Sequence, residues 1–565
     1  MPAITIAQAF RLAVQYHGIG DFAAAEALCR QILAAAPGQG DVWHLLGLCA
    51  LSGGRHEEAR QCFSQAVTYS PSVAGFHCDL GVVHRFLGQH EEAVRGFERA
   101  LQIDPGYAPA WTNLSDTLLR MGRLDEAISS GQRAVAAQPD LAEAHSNLGN
   151  ALRDKGRLDE SIHHFLRALA IHPQFTAAYN NLAHAYIEAD RPDDAIASCD
   201  RALALQPSFF KAWLNRGTAY MARGEVGEAE QSFRRALACQ PDYADAHWNL
   251  GIALLLSGQY EEGWREFDWR RRASVQKVLG GLTPGVSQPQ WDGRAAEGAT
   301  ILVYAEQGLG DTIQFARYLP LVRAQAQAGR VLFRCPPLLA GLFTASGEWN
   351  AEIIPHATED GSSSLEFDQY IALPSLPLVL RRFTPEPANH PYLQADAGKR
   401  ARWRERLGSS PRAKVGLVWK GNPQHVDDRR RSLDPRLLSP LLHVPEVDFY
   451  SLQVTHPSAA ASVPPEGVVD LTPHLTDFTE TAACLAELDL LISVDTAAAH
   501  LAGALGRPVW TLLPFAPDWR WGLESESTPW YATMRLFRQK TAGAWEEVIE
   551  RVVKELPAIR ARHGL

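Results

Sequence analysis

PGYAPAWTNLSDTLLRMG at residues 105–122 and PDLAEAHSNLGNALRDKG at residues 139–156 both open on proline, carry asparagine at the ninth place and close on glycine, 34 residues apart. The proline recurs at that step at Pro37, Pro71, Pro105, Pro139, Pro173, Pro207 and Pro241, and then stops although more than half of the chain is still to come. Proline cannot sit inside a continuing helix, so it marks the end of each unit. A fixed step of this length belongs to helix pairs that cannot bury their apolar faces alone and must stack on their neighbours.

Other columns keep the same register. Gly20, Gly54, Gly88, Gly122, Gly156, Asp190, Gly224 and Gly258 stand at the turn within each pair, which asks for a backbone conformation that glycine adopts without strain. Ala25, Ala59, Ala93, Ala127, Ala195 and Ala229 fall where two helices cross closely, and Trp43, Trp111, Tyr179 and Trp213 fill a large slot at another phase. These are the features of tetratricopeptide (TPR) repeats. The sequence predicts an all-α TPR superhelix of about eight repeats over residues 6–277, the last ending in WREFDWRRR.

One column reads Leu45, Asp79, Asn113, Asn147, Asn181, Asn215, Asn249. Asparagine offers a donor and an acceptor, so a row of them along a groove suits an extended peptide held by its main chain. Hydrogen bonding between repeats is the other reading, and residue type does not separate the two. The column resembles the asparagine ladder of the O-linked N-acetylglucosamine transferase family, which clasps the acceptor polypeptide. That resemblance implies acceptor binding by Asn113, Asn147, Asn181, Asn215 and Asn249. Leu45 and Asp79 depart from it, which places the groove in the later repeats.

Beyond a Gly- and Pro-rich linker (278–297), short apolar runs alternate with helical stretches. ILVYA (301–305), VLFRC (331–335), EIIPH (352–356), VGLVW (415–419), FYSLQ (449–453), LLISV (490–494) and VWTLL (509–513) are the candidate strands. The alternation predicts parallel sheets of α/β type. The first strand runs into AEQGLGDTIQFARYLP, where Gly308 and Gly310 permit a sharp turn and Asp311 stands at a helix start. Asp311 is open to two readings, an N-cap or a general base for a hydroxyl. In LDLLISVDTAAAHLAGALGRPVW a strand ends at Asp495 and Thr496 and a helix begins at once, so its free amides face the strand's carboxyl end, where a nucleotide phosphate goes. His500 comes one turn later. The loop after VGLVW carries Asn422, His425, Asp428, Arg431 and Ser432, with arginines suited to bidentate phosphate binding. Gln453 ends the neighbouring strand. The closing stretch, with Asp518, Trp519, Arg520, Trp521, Trp530 and Tyr531, reads as a sugar or base platform or as packing between lobes.

The Gly310–Asp311 turn resembles the start of lipopolysaccharide heptosyltransferase-related families, and the Asp495–Thr496–His500 block is similar to their sugar-nucleotide site, with Ala497 where glycine is usual. The GNP, His, Asp and Arg-Ser pattern at 421–432 resembles bacterial TPR proteins with a heptosyltransferase-like domain. Together these resemblances imply a GT-B domain of two Rossmann-like lobes (298–395 and 396–565), its last helix crossing back to the first lobe. They imply catalytic roles for Asp311 and His500. They imply donor binding by Gly310, Asn422, His425, Asp428, Arg431, Ser432, Gln453, Asp495, Thr496 and His500. The activity implied is inverting, metal-independent transfer of a sugar from a nucleotide donor to Ser or Thr of a polypeptide. Bacterial proteins of this architecture include flagellin glycosyltransferases that use CMP-linked, sialic-acid-like donors, which makes flagellin the candidate acceptor. A glycan or lipid acceptor with the repeats recruiting a partner, or an inactive scaffold, are the alternatives.

Composition narrows the field. A net charge of −10 argues against a nucleic-acid partner. The eight scattered cysteines show no CxxC spacing and imply neither zinc nor a disulfide framework. The first residues lack a signal-peptide pattern and no run is long enough to span a bilayer, so the expectation is a cytoplasmic protein without a bound cofactor.

Overall fold

The computed structural model describes residues 5–273, 287–347, 349–356, 365–386, 391–425, 428–454 and 463–558. The chain divides into two compact units, meeting in sequence at Ala219 and Tyr220. None of the described helices is long and apolar enough to cross a membrane.

The first unit is a series of helix pairs, exemplified by Ala108–Arg120 with Leu124–Ala137 and Ala142–Asp154 with Leu158–Ile171. Within each pair the turn residue has positive φ, 75° at Gly122 and 58° at Asp190, the one place where the column departs from glycine. The crossing alanines Ala25, Ala59, Ala93, Ala127 and Ala195 are fully buried. A second complementary pair of columns lies beside them. Gly47 faces Phe63, Gly81 faces Phe97 and Gly149 faces Phe165, so closely that a methyl group at each glycine would meet the ring within 2.6–2.8 Å. In the one unit where the Phe place holds Gly131, the facing glycine is replaced by Ser115. Volume moves from one helix to the other and the core stays filled.

The large slot is decided by a hydrogen bond as well as by size. Trp43, Trp111 and Trp213 donate their indole N–H to the carbonyls of Pro37, Pro105 and Pro207 at 2.8–2.9 Å. His77 and His145 occupy the same phase and donate a ring N–H to Pro71 and Pro139 at 2.9 and 3.1 Å. The unit-ending proline lacks an N–H but keeps a carbonyl, and a ring six residues on satisfies it.

The second unit holds the helices Val226–Cys239, Ala244–Leu256 and Tyr260–Phe267, a 3-10 turn Asp268–Arg271, and two parallel sheets. In the first sheet are β1 (Thr300–Tyr304), β2 (Arg330–Cys335), β3 (Glu352–Pro355) and β4 (Gln369–Ala372), in the order β3-β2-β1-β4. The second sheet contains β5 (Ala413–Val418), β6 (Val447–Ser451), β7 (Val469–Asp470), β8 (Leu490–Val494), β9 (Val509–Leu513) and β10 (Met534–Arg538), in the order β10-β9-β8-β5-β6-β7. Strands such as β8 and β9 are buried at every residue, as expected of a parallel sheet covered on both faces. The direction of growth reverses between β1 and β4 and again between β5 and β8. Those two places, at the carboxyl ends of the strands, are where open parallel sheets bind ligands.

Three features bear on the expected layout of the second half. The closing helix, Trp545–Glu555, does not cross to the first sheet: Trp545, Val548, Ile549 and Val552 join the core of the second sheet with Leu438 and Leu441. Of the supposed linker, residues 274–286 lie outside the described residues, but Gln290 bridges to Tyr370 and Trp291 is buried, its N–H bonded to the Tyr370 carbonyl at 2.9 Å. Finally, the last helix pair packs into the α/β part of the second unit. Ala244–Leu256 contacts the turn Trp519–Trp521, and Trp264 packs edge-on against Trp519 at 5.3 Å and donates to the Phe383 carbonyl at 2.7 Å.

Candidate active site

β1 ends at Tyr304, and the chain turns through Gly308 into the helix Leu309–Phe315. Gly308 is the N-cap and Asp311 stands at the third helical position, from which its Oδ2 accepts the Gly308 N–H at 3.0 Å. Asp311 therefore caps the helix from inside, and its Oδ1 is free of that task. That oxygen accepts from Arg520 of the turn Trp519–Trp521, which comes after β9. Arg520 is buried, and it also donates to the side chains of Gln314 and Asp518. Burial works against its charge, but the carboxylates of Asp311, Asp518 and Asp495 hold its pKa above the usual value.

The helix Ala497–Ala504 starts directly after β8, with Thr496 as N-cap. Its His500 is buried, with Nδ1 2.9 Å from the Tyr531 hydroxyl and Nε2 3.7 Å from Asp495 Oδ1. Asp495 Oδ2 accepts from the Trp521 indole at 2.9 Å. Burial alone would push the Asp495 carboxyl up; the bond and charge of His500, with Trp521 and Arg520, hold it well below the usual range instead. Burial raises the Tyr531 hydroxyl well above its ordinary value, so it stays protonated beside His500. The Thr496 hydroxyl lies 2.9 Å from that of Ser493.

The two turns meet. A methyl group on Gly310 would come within 2.8 Å of His500 Cδ2, so the Gly310–Asp311 turn of the first sheet lies directly against the His500 ring of the second. Arg317, on the stretch just past this helix, strengthens the junction by donating to the Trp530 carbonyl at 2.9 Å and lying over the rings of Tyr392 and Tyr531.

A second group gathers at the carboxyl end of β5, whose Val418 is in register with Ser493 of β8. Asp428 Oδ1 accepts from the Ser432 hydroxyl at 2.9 Å and from Arg431 Nε at 3.4 Å, and Ser432 Oγ accepts the Gly421 N–H at 3.0 Å. A methyl on Gly421 would come within 2.5–2.7 Å of the side-chain ends of Asp428 and Arg431, so the loop packs closely against both. Asn422 holds the turn through the Gln424 N–H, and its carbonyl accepts from the His425 N–H. Gln453 is occupied at both ends of its amide. Its Oε1 accepts the Trp419 and Lys420 N–H groups at 2.9 and 2.7 Å and its Nε2 donates to the Lys420 carbonyl, so it shapes the loop instead of presenting a free group. Gly310, Asp311, Asp495 and His500 thus form one cluster, while Asn422, His425, Asp428, Arg431 and Ser432 form another at the adjacent strand end.

The closing aromatic stretch serves packing and charge. Trp519 lies among Trp264, Phe315 and Trp530, while Arg520 and Trp521 are the partners of Asp311 and Asp495. The charge-pairing role of Arg520 was not legible locally, because it stands 209 residues from Asp311. Among the described residues no group of three His, Cys, Asp or Glu side chains is placed to hold a metal ion. All eight cysteines are free, and only Cys239 is exposed.

In the repeats the asparagine amides are half-buried. Asn147 and Asn215 donate to the backbone carbonyls of Thr112 and Asn180 one repeat back, at 3.3 and 3.4 Å, while Asn113 and Asn249 donate within their own helices at 2.9 and 2.8 Å. Asn181 accepts from Asn180 at 3.4 Å. Among the described residues the side-chain oxygens of Asn113, Asn147 and Asn215 accept no hydrogen bond. In Asn113, Asn147 and Asn215 the N–H end serves the scaffold and the oxygen end is left as an acceptor.

Residues 457–543 match the family model of glycosyltransferase family 9 (heptosyltransferase), and tetratricopeptide-repeat models match residues 19–72, 72–140 and, in overlapping stretches, 112–263. Protein FlbA of Caulobacter vibrioides is 31% identical over 324 residues, which cover 52% of this chain and 52% of that protein. The chain thus spans about half the length of the curated relative it matches. Among solved structures, the repeats are similar to the APC/C hetero-tetramer Cut9-Hcn1 (20% identity, TM-score 0.39, 43% of this chain and 48% of that one). They are also similar to MamA (27% identity, TM-score 0.27, 30% and 93%). The repeats and the family 9 match support a glycosyltransferase activity.

Proposed function

We propose that the chain is a protein O-glycosyltransferase of the two-lobed GT-B kind, moving a sugar from a nucleotide donor to a Ser or Thr hydroxyl of a polypeptide held by the repeats. The observation that carries the reading is the meeting of the Gly310–Asp311 turn with Asp495 and His500 at the carboxyl ends of two parallel sheets.

In this reading the donor phosphate sits over the amides that open the helix Ala497–Ala504. Thr496, His500 and Arg431 meet the charge that develops on it as the sugar leaves. Asp311 accepts the acceptor hydroxyl's proton as the new bond forms on the opposite face of the anomeric carbon, which inverts it. Each carboxylate oxygen accepts more than one hydrogen bond, so the contacts with Gly308 and Arg520 orient Asp311 without closing it, and 24% of its side chain remains exposed. The asparagine oxygens of the repeats receive the peptide's N–H groups, which selects an extended chain more than a particular sequence.

The test is intact-mass analysis of flagellin incubated with the purified chain and a panel of nucleotide sugars that includes CMP-linked sialic acids. A gain of one sugar mass is expected, to be lost in Asp311→Ala and His500→Ala. Transfer unchanged in both variants would remove the assignment. Replacing Asn113, Asn147 and Asn215 together by Ala should lower transfer at unchanged donor binding; equal loss of both would defeat the groove.

A further inference from the structure

The first sheet reverses direction between β1 and β4, and a parallel sheet opens its crevice at such a place. Here that place is filled from within the chain by Arg270, in the 3-10 turn that closes the last helix pair. Its side chain is 2% exposed. Nε reaches Glu306 just beyond β1 at 2.5 Å, the NH2 group reaches Ser375 just beyond β4 at 2.8 Å, and NH1 reaches Asp268 at 3.1 Å. The Ser375 hydroxyl donates in turn to Asp268, and the guanidinium lies 4.9 Å from the Phe267 ring centre. Burial opposes the charge, and Glu306 and Asp268 overcome it.

A buried ion pair is weak evidence for stability, because apolar side chains of the same volume often serve as well. What the pair does here is geometric. Glu306 stands two residues before Gly308, whose N–H orients Asp311. The loop between β1 and the Asp311 helix is therefore held at one end by Arg270 and at the other by Arg520. The first helix of that pair, Ala244–Leu256, bears Asn249 and touches both the turn that holds Arg270 and the Arg520 turn.

We infer that Arg270 is a positioning residue for Asp311, acting through Glu306, and that it sets the last repeat in register with the transfer centre. This rests on the reading of Asp311 as the base.

Arg270→Met alone would strand Glu306, so the decisive variant is Arg270→Met with Glu306→Met, made in the full-length chain. Hydrogen exchange at the backbone amides of Glu306–Thr312 should quicken at least tenfold while β1 amides and the melting temperature hold; unchanged exchange overturns the inference. In the flagellin assay, turnover should fall at least tenfold with the donor KM unchanged, and the same double change added to Asp311→Ala should cost nothing further. An independent, multiplicative loss would mean that Arg270 does not act through Asp311. If Asp311→Ala proves harmless, the base assignment falls, and the exchange measurement still judges the Arg270 clamp.

Discussion

Gly310→Ala puts the contact between the two turns to a quantitative test. The added methyl would sit 2.8 Å from His500 Cδ2 and 3.4 Å from its Nε2, with Ala497 Cα behind at 3.6 Å. Carbon atoms settle at about 3.5–4.0 Å, so roughly 0.7–1.2 Å must be found. His500 is poorly placed to yield, being bonded to Tyr531 and set against the Trp521 ring at 5.3 Å. Overpacking of this sort costs about 1–3 kcal/mol, offset by up to about 1 kcal/mol because Gly310 is helical and alanine is the better helix former. The net loss is therefore at most about 3 kcal/mol, a fall in melting temperature of several degrees that leaves the chain folded. A displacement of about 1 Å between reacting groups lowers a rate on the order of 100-fold, and that is the expected fall in turnover. Gly227→Ala is the control, since Gly227 lies in the helix Val226–Cys239 with open space around it. An alanine at Gly310 that turns over at the wild-type rate would refute the reasoning.

Trp111→Phe keeps the ring but strands the Pro105 carbonyl, for a loss of about 1 kcal/mol by denaturant titration, and Trp111→His should recover most of it because His145 makes the same bond in its own repeat. Arg520→Lys keeps the charge but supplies one point donor where Asp311, Asp518 and Gln314 are each bonded, and should lower stability by about 1–3 kcal/mol, seen as an earlier thermal transition. The ring nitrogens of His145 and His164 lie 3.0 Å apart. Burial lowers both pKa values, that of His164 to about 4, with the neighbouring histidines adding to it there and Arg167 and His163 at His145. A depressed histidine favours the neutral form in the fold, so this stability is complete above the unfolded value near 6.5 and is lost as pH falls toward 4. Melting of the repeats should weaken between pH 6.5 and 4, and His164→Gln should flatten that slope.

The repeat half was legible because every unit must solve the same local problem, and a solution reused every 34 residues becomes a column. Its blind spot was the slot six residues past each proline, where Trp and His look unrelated as residue types and are equivalent only as ring N–H donors. In the second half, β5, β8 and β9 announced themselves as unbroken apolar runs. β4 and β10 did not, since QYIA is brief and MRLFR carries arginine among its apolar residues. The positions of Asp311, Asp495 and His500 at the starts of helices could be read because strand-to-helix turns leave a local signature. Arg270 and Arg520 leave none: each matters for a contact made far along the chain, and no spacing encodes it.

The separation between Asp311 and Arg520 also orders events during synthesis. The repeats close on contacts six or a few tens of residues apart, and can fold as they leave the ribosome. The carboxylate of Asp311 is made more than two hundred residues before its arginine. Until residue 520 emerges the first sheet has no partner for that charge, and His500 has no Tyr531 to hold it. A nascent chain can therefore assemble its repeat array well before the cluster around Asp311 and His500, and an unfinished copy holds a closed helical array and a first sheet whose charge at Asp311 is still unpaired.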